Sequence, residues 1–216
     1  MSTYAIYAIV VPVAYLLGAI PWGYIFPKLL RGVDIRRYGS GNTGMANVLR
    51  TVGGRIAAAV VMLDVGKGVL AVTIAWLVSD HSSTVEVIAG VMAIIGHNWS
   101  VFLLFNGGRG AAITLGVCFI TAPYVALINV PIFIAVVLKS RYVSFGTVTA
   151  ALTVPVSFAI LAAFGIYDWT YGCFFLFASI VILFQHRGNI KRLIRGTERK
   201  IGESAIGELT KTGKGL

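Results

Sequence analysis

Residues 111–138 read AAITLGVCFITAPYVALINVPIFIAVVL, and Lys139-Ser140-Arg141 follow directly. The run carries no charge, so it is either one long tilted membrane helix or a hairpin turning near Thr121-Ala122-Pro123. That choice decides the fold, because it fixes the side of the membrane on which the rest of the chain lies. Further apolar runs occupy 4–26, 56–79, 87–105, 143–164 and 170–185. Short loops rich in Lys and Arg stay cytoplasmic. With Lys28, Arg31, Arg36, Arg37, Arg50 and Arg55 inside, Arg109 returns inside after two crossings. A hairpin at 111–138 keeps Lys139, Arg141 and the basic tail from Arg187 to Lys214 inside too, and leaves the loops at 79–85 and 165–169 without Lys or Arg. A single crossing would move all those cations outside. The sequence therefore predicts an all-α integral membrane protein of about seven transmembrane helices in the cell (inner) membrane. Its N-terminus is out, its C-terminus in, and its Gly-rich polar loops face the cytoplasm.

Composition agrees with lipid as the solvent. Of 216 residues, 57% are hydrophobic and only 12% charged, against roughly 25% charged in soluble domains. Lys and Arg number 18 against 8 acids. In a soluble chain that balance would suggest nucleic acid, but here the cations flank apolar segments, where they set orientation and attract anionic lipid or an anionic substrate. Cys118 and Cys173 lie in apolar segments without a CxxC pattern and read as packing residues. The run at 4–26 has no Lys or Arg before it and is too long for a signal-peptide core, so it is expected to remain as a helix. Residues 1–216 read as a single membrane-embedded domain, with 185–216 as a basic cytoplasmic tail.

The richest loop runs from Gly39-Ser40-Gly41-Asn42-Thr43-Gly44 into Met45-Ala46-Asn47-Val48-Leu49-Arg50. Its opening fits GxGxxG, yet no strand precedes it, so a dinucleotide site is not implied. Glycines let backbone N–H groups approach an oxyanion, and a helix starting near Thr43 would aim its positive end at one. Thr43, Asn47, Arg50 and Gly54 then share a face, so Ser40 and Arg50 can converge on a phosphate. The plain alternative is a basic loop with glycine turns. Gly107, Gly108 and Gly110 surround Arg109 in a second turn suited to a bidentate grip on phosphate. His97 lies about three turns earlier. It is either a structural hydrogen-bonding residue or part of the site.

Asp64 and Lys67 sit inside the second apolar run, where an internal ion pair is the leading reading. Ser144 and Thr147 share a face beside the Lys139-Arg141 anchor. His186 and Asn189 share another where the last span emerges, and Ile190, Leu193 and Ile194 can lie in the interface beneath the basic surface. No GxSxG, HExxH or GxxxxGK[ST] pattern occurs, and neither a metal nor a cofactor is implied.

Taken in order, GSGNTGMANVLRTVGG, LDVGKG, GHNWSVFLLFNGGRG, RYVSFGT and HRGNIKRLIRGTE resemble the acyl-phosphate-dependent glycerol-3-phosphate acyltransferase family of bacterial membranes. The resemblance implies a seven-helix enzyme that makes lysophosphatidic acid and phosphate from acyl phosphate and glycerol 3-phosphate, the first acylation of phospholipid synthesis. Its partners would be these substrates, membrane lipid and an enzyme supplying acyl phosphate. By motif position the family's substrate and catalytic residues fall on Ser40, Arg50, Arg109, Thr147, His186 and Asn189, framed by Gly39, Gly41, Asn42, Gly44, Asn47, Gly107, Gly108, Gly110, Ser144 and His97. The chain departs from the family pattern at Met45 and Ala46, at Arg109, Ala111 and Ile113, and at Thr147. Arg for Lys keeps the charge and changes its geometry. The rival from another class is a transporter or channel for a phosphorylated anion. All the phosphate-like motifs map to one face, whereas a transport path needs polar groups toward both.

Overall fold

The structure, a computed structural model, describes residues 2–203 and contains no β-strand among them. Helix α1 (Thr3–Ala19) is capped by the Ser2 hydroxyl, which accepts from the Ala5 amide at 3.3 Å. It stops at Ile20 because the next residue is Pro21, whose ring disfavours helical backbone before it. Helix α2 (Trp22–Arg31) ends on left-handed Gly32, and a 3-10 turn (Ile35–Arg37) leads to α3 (Met45–Val52). Gly53, at φ 97°, then turns the chain straight into α4 (Gly54–Val78). Next come α5 (Ser83–Asn98), a 3-10 turn (Val101–Leu103), α6 (Ala111–Thr121), α7 (Pro123–Ser140), α8 (Val143–Ala163), α9 (Thr170–Gln185) and α10 (Arg187–Ile194).

The run at 111–138 does break, at Ala122-Pro123. Pro123 opens α7, where its missing N–H leaves no helical bond unmade. The two limbs are unequal. At 1.5 Å per residue α6 rises only about 16 Å, roughly half the hydrocarbon thickness. Among the described residues, five stretches are long and apolar enough to cross a bilayer, namely Thr3–Arg31, Gly54–Val78, Ser83–Leu103, Pro123–Ser140 and Val143–Ala163; α9 with α10 makes a sixth if their 59° bend is one broken span. Large apolar side chains such as Met62, Leu127, Leu152 and Leu176 are exposed on these helices. Such a surface suits acyl chains rather than water.

Two helix pairs meet backbone to backbone. Between α1 and α5, a Cβ on Gly18 would overlap the Ala93 carbonyl and one on Gly96 would overlap that of Tyr15. Between α4 and α6 the same reciprocal device places Gly68 on Ile113 and Gly116 on Val65. Lipid tails are as apolar as the helices they bathe, so close backbone packing rather than hydrophobic exclusion favours these contacts. The first pair fixes the end of α5, which carries His97. The second seats α6, whose N-terminus follows Arg109.

Two sequence expectations change. The helix expected from Thr43 begins at Met45 with Gly44 as its N-cap, because the Gly44 amide is taken by Asn42 Oδ1 at 2.8 Å. Gly53 ends that helix, so Asn47 and Arg50 lie on it while Thr43 and Gly54 do not. The tail expected at 185–216 also has more structure than a charged anchor. Its described part, 185–203, includes α10 and brings Glu198 back against α8 and α10. The remainder of that tail lies outside the described residues.

Candidate active site

Segments far apart in sequence meet at one end of the helical bundle, and side-chain amides organise them. Asn47, 2% exposed, donates to the carbonyls of Ile35, Tyr38 and Asn42 at 3.0–3.2 Å, and its Oδ1 accepts from the Ser40 amide at 3.1 Å. One buried side chain thus folds the whole turn preceding α3. Asn42 carries the connection onward by donating to the Gly107 carbonyl at 3.2 Å.

The second turn is held from below. The Gly107 and Gly108 amides donate to the carbonyls of Asn98 and His97 at 3.1 and 2.8 Å. The His97 ring lies so close over Gly108 that a Cβ there would overlap it. Glycine is therefore obligatory beside Arg109, and the turn delivers that guanidinium across the cavity, where Nη1 donates to Asn189 Oδ1. Burial, with Arg192 and Arg50 nearby, pulls the Arg109 pKa below the usual guanidinium value while Glu198 pushes it back up. The group stays cationic at any physiological pH.

Asn189 in turn donates to Glu198 Oε1 at 2.7 Å, the Ser144 hydroxyl donates to the same oxygen at 3.0 Å, and Arg192 Nε meets Oε2 at 2.7 Å. His186 stands between α9 and α10 with Nδ1 2.8 Å from the Ile182 carbonyl. A carbonyl only accepts, so Nδ1 carries the proton and the neutral ring keeps its lone pair on Nε2. The Thr147 hydroxyl donates to the Val143 carbonyl at 3.1 Å.

These groups border one cavity of about 360 Å³. Its polar end is lined by Ser40, Asn42, Gly44, Asn47, Arg50, Arg109, Gly110, Ser144, Thr147, His186, Asn189 and Glu198. The rest of its wall is mostly apolar, with Leu115, Cys118, Ala126, Val130, Phe133, Ile134, Val154 and Ile182. A polar vestibule outside it includes Gly39, Ser40, Arg109, Arg192, Thr197, Glu198 and Arg199. Gly41, Gly107 and Gly108 shape turns without lining the cavity.

Asp64 and His97 reach the cavity wall, whereas Lys67 lies behind it. Lys67 pairs with Asp64 at 2.9 Å and donates to the Ile20 carbonyl, left without a helical partner by the break after α1. His97 Nδ1 stays 3.8 Å from Asp64, too far for a hydrogen bond. Among the departures, Met45, Ala46 and Ala111 line the cavity. Ile113 is fully buried elsewhere, so its side chain takes no hydroxyl from the site.

Sequence reading overlooked Glu198 as the residue that gathers Asn189, Ser144 and Arg192. The available signal was a lone acid amid Arg187, Lys191, Arg192, Arg195, Arg199 and Lys200. It also passed over Asn129, an amide inside an apolar run that lines the far end of the cavity.

The glycerol-3-phosphate acyltransferase family model matches residues 8–196. A glycerol-3-phosphate acyltransferase of Thermoanaerobacter sp. (strain X514) is 43% identical over 194 residues, covering 88% of this chain and 93% of its own. Glycerol-3-phosphate acyltransferase 2 of Moorella thermoacetica is 43% identical over 191 residues, covering 88% of this chain and 95% of its own. Among solved structures, the integral membrane glycerol 3-phosphate acyltransferase PlsY (YgiH) in its glycerol 3-phosphate form superposes with a TM-score of 0.83 at 36% identity, over 90% of this chain and 95% of that one. Its lysophosphatidic acid form gives 0.81 at 35% identity, over 91% and 95%.

Proposed function

Because this chain belongs to the glycerol-3-phosphate acyltransferase family, an integral-membrane acyltransferase family of phospholipid synthesis, we propose that its cavity acylates glycerol 3-phosphate with an acyl phosphate as donor. The chain is an acyltransferase, and glycerol 3-phosphate is its acceptor. The donor assignment is carried by one observation: a single cavity whose polar end holds Arg50 and Arg109 and whose far end is apolar. An acyl phosphate has the same two-part character, an anionic head on an apolar chain.

An acyl phosphate is already activated, so the enzyme's main work is bringing two anions together. Unit charges about 5 Å apart repel by roughly 3 kcal/mol at an effective dielectric near 20. Arg50 and Arg109 offset that repulsion, the Ser40 hydroxyl can donate to a phosphate oxygen, the glycine turns keep the backbone low enough for the head group to reach these side chains, and Asn189 and Glu198 aim Arg109. Ser144 and Thr147 complete the wall. The primary hydroxyl of glycerol 3-phosphate attacks the acyl carbonyl carbon, a C–O bond forms, and the bond from that carbon to the phosphate oxygen breaks. Phosphate leaves with the electron pair, and lysophosphatidic acid remains. The hydroxyl proton passes to His186 Nε2 or to a donor phosphate oxygen. His186→Ala separates these routes: with a base role, the fall in kcat/KM that protonation of the ring causes in wild type at low pH disappears together with most of the activity.

Topology belongs to the same proposal. Counting α6 as a short crossing gives seven, with the N-terminus out and the cavity's polar end toward the cytoplasm of the cell membrane. The basic loops around α3, Arg109 and α10 then all lie inside, as the charge rule requires.

The deciding assay uses purified, detergent-solubilised protein with labelled glycerol 3-phosphate and either palmitoyl phosphate or palmitoyl-CoA. Product from acyl phosphate alone is expected. Product from palmitoyl-CoA alone would sink the donor assignment, and a labelled acyl-protein adduct would sink direct transfer.

A further inference from the structure

The apolar end of the cavity closes on an amide. Asn129, 5% exposed, sits in an otherwise apolar part of α7 and lines the cavity. Its Nδ2 donates to the Ser157 hydroxyl at 2.7 Å and to the Val125 carbonyl of its own helix at 2.9 Å. Its Oδ1 accepts from the Thr153 hydroxyl at 2.6 Å. Thr153 and Ser157 both belong to α8, so the cluster ties α7 to α8. It does so near the level where α6 and α7 converge on the Ala122-Pro123 turn, with Cys118 and Ala126 lining the same narrow end.

The cavity is not equally enclosed along its length. Toward the polar end the lining residue Ile134 is 47% exposed, so that part of the wall also faces lipid. Toward the turn Cys118, Ala126 and Asn129 are all buried. From Thr147, at the polar end, to Val154 the wall of α8 descends about 10 Å at 1.5 Å per residue. A chain entering there meets hydrogen-bonded polar atoms that gain nothing from a methyl group and lose bonds if they part.

Resting on the reading that this end receives the donor's acyl chain, we propose that Asn129, clamped by Thr153 and Ser157, is the floor that sets the longest chain the enzyme transfers efficiently. A chain that just reaches the floor is fully covered by protein. A longer one must turn back along the wall toward Ile134 or displace Asn129, and a methylene that does not fit costs about tenfold or more in kcat/KM.

The test measures kcat/KM for a donor series from butanoyl to stearoyl phosphate in protein reconstituted into lipid nanodiscs, comparing wild type with Asn129→Ala and Ala126→Leu. In parallel, the rise in melting temperature is recorded with n-alkyl phosphates of the same lengths, which bind without reacting. A length cut-off is expected in wild type. Relative to the shortest donor, Asn129→Ala should raise the value for chains just beyond the cut-off about tenfold, and Ala126→Leu should lower it for chains just below by about the same factor. The longest alkyl phosphate that still stabilises the protein should move with it. A variant that merely loosens the bundle would scale every length together, so a profile that keeps its shape in either variant overturns the floor. Acyl phosphates inert beside active palmitoyl-CoA would remove the donor assignment alone, because the alkyl phosphate profile reads the floor without turnover.

Discussion

Two buried ionic clusters in this molecule are built in opposite ways. Asp64 and Lys67 lie three residues apart on α4 and form a contact of 2.9 Å, and Lys67 also donates to the Ile20 carbonyl after α1. Glu198 instead collects Ser144, Asn189 and Arg192 from α8 and α10, and through Asn189 it reaches Arg109 before α6. The first cluster touches the cavity only through Asp64, whereas the second lines it with Ser144, Asn189 and Glu198. A local pair stitches helices where a charge would otherwise be stranded in hydrocarbon, while a long-range cluster sets the mutual positions of groups that line the cavity.

Substitutions can break that contrast or sharpen it. The largest effect is expected from Asp64→Asn or Lys67→Met, each stranding a buried charge and costing about 3 to 5 kcal/mol of stability, read as a fall in melting temperature; the double variant should cost less than the sum. If Asp64→Asn kept its melting temperature and lost acyl transfer, the pair would belong with the site.

Arg109→Ala is expected next, with a loss of about 10² to 10³ in kcat/KM and an unshifted melting temperature, since it removes a cation aimed at developing negative charge. Arg109→Lys restores the charge without the fork geometry and should recover to within about tenfold of wild type. Glu198→Gln should follow at roughly 10- to 100-fold, because one charge-assisted contact to Arg192 and the aim of Asn189 are weakened. Its loss should fall on the KM for glycerol 3-phosphate more than on stability, and the reverse pattern would place Glu198 with the structural pair. Thr147→Ser keeps the hydroxyl and deletes one methyl, so a change under about threefold in kcat/KM is expected.

The same contrast explains what could be read in advance. A pair three residues apart on a predicted helix is visible in the sequence, because helical spacing alone brings it together. The Glu198 cluster is not, since nothing in the chain order says that α10 folds back against α8. The glycine turn at 107–110 was legible as a phosphate-like loop, but its dependence on the His97 ring beneath Gly108 was not. The helix expected from Thr43 failed for a similar reason. Asn42 takes the Gly44 amide and Asn47 gathers three carbonyls, so side-chain bonds across the loop override the spacing that suggested a longer helix.

By itself the sequence determined the all-helical membrane class, the break at Ala122-Pro123 and the identity of the phosphate-like motifs. Each follows from hydropathy, from proline's missing N–H, or from residue types close together in the chain. Only the tertiary structure decided that α6 is the short limb of the hairpin, that Glu198 bonds the Asn189 that meets Arg109, and that Asn129 bonds Thr153 and Ser157 at the cavity wall. Those features arise where distant helices pack, and a distance across a bundle is set by the side chains of both partners.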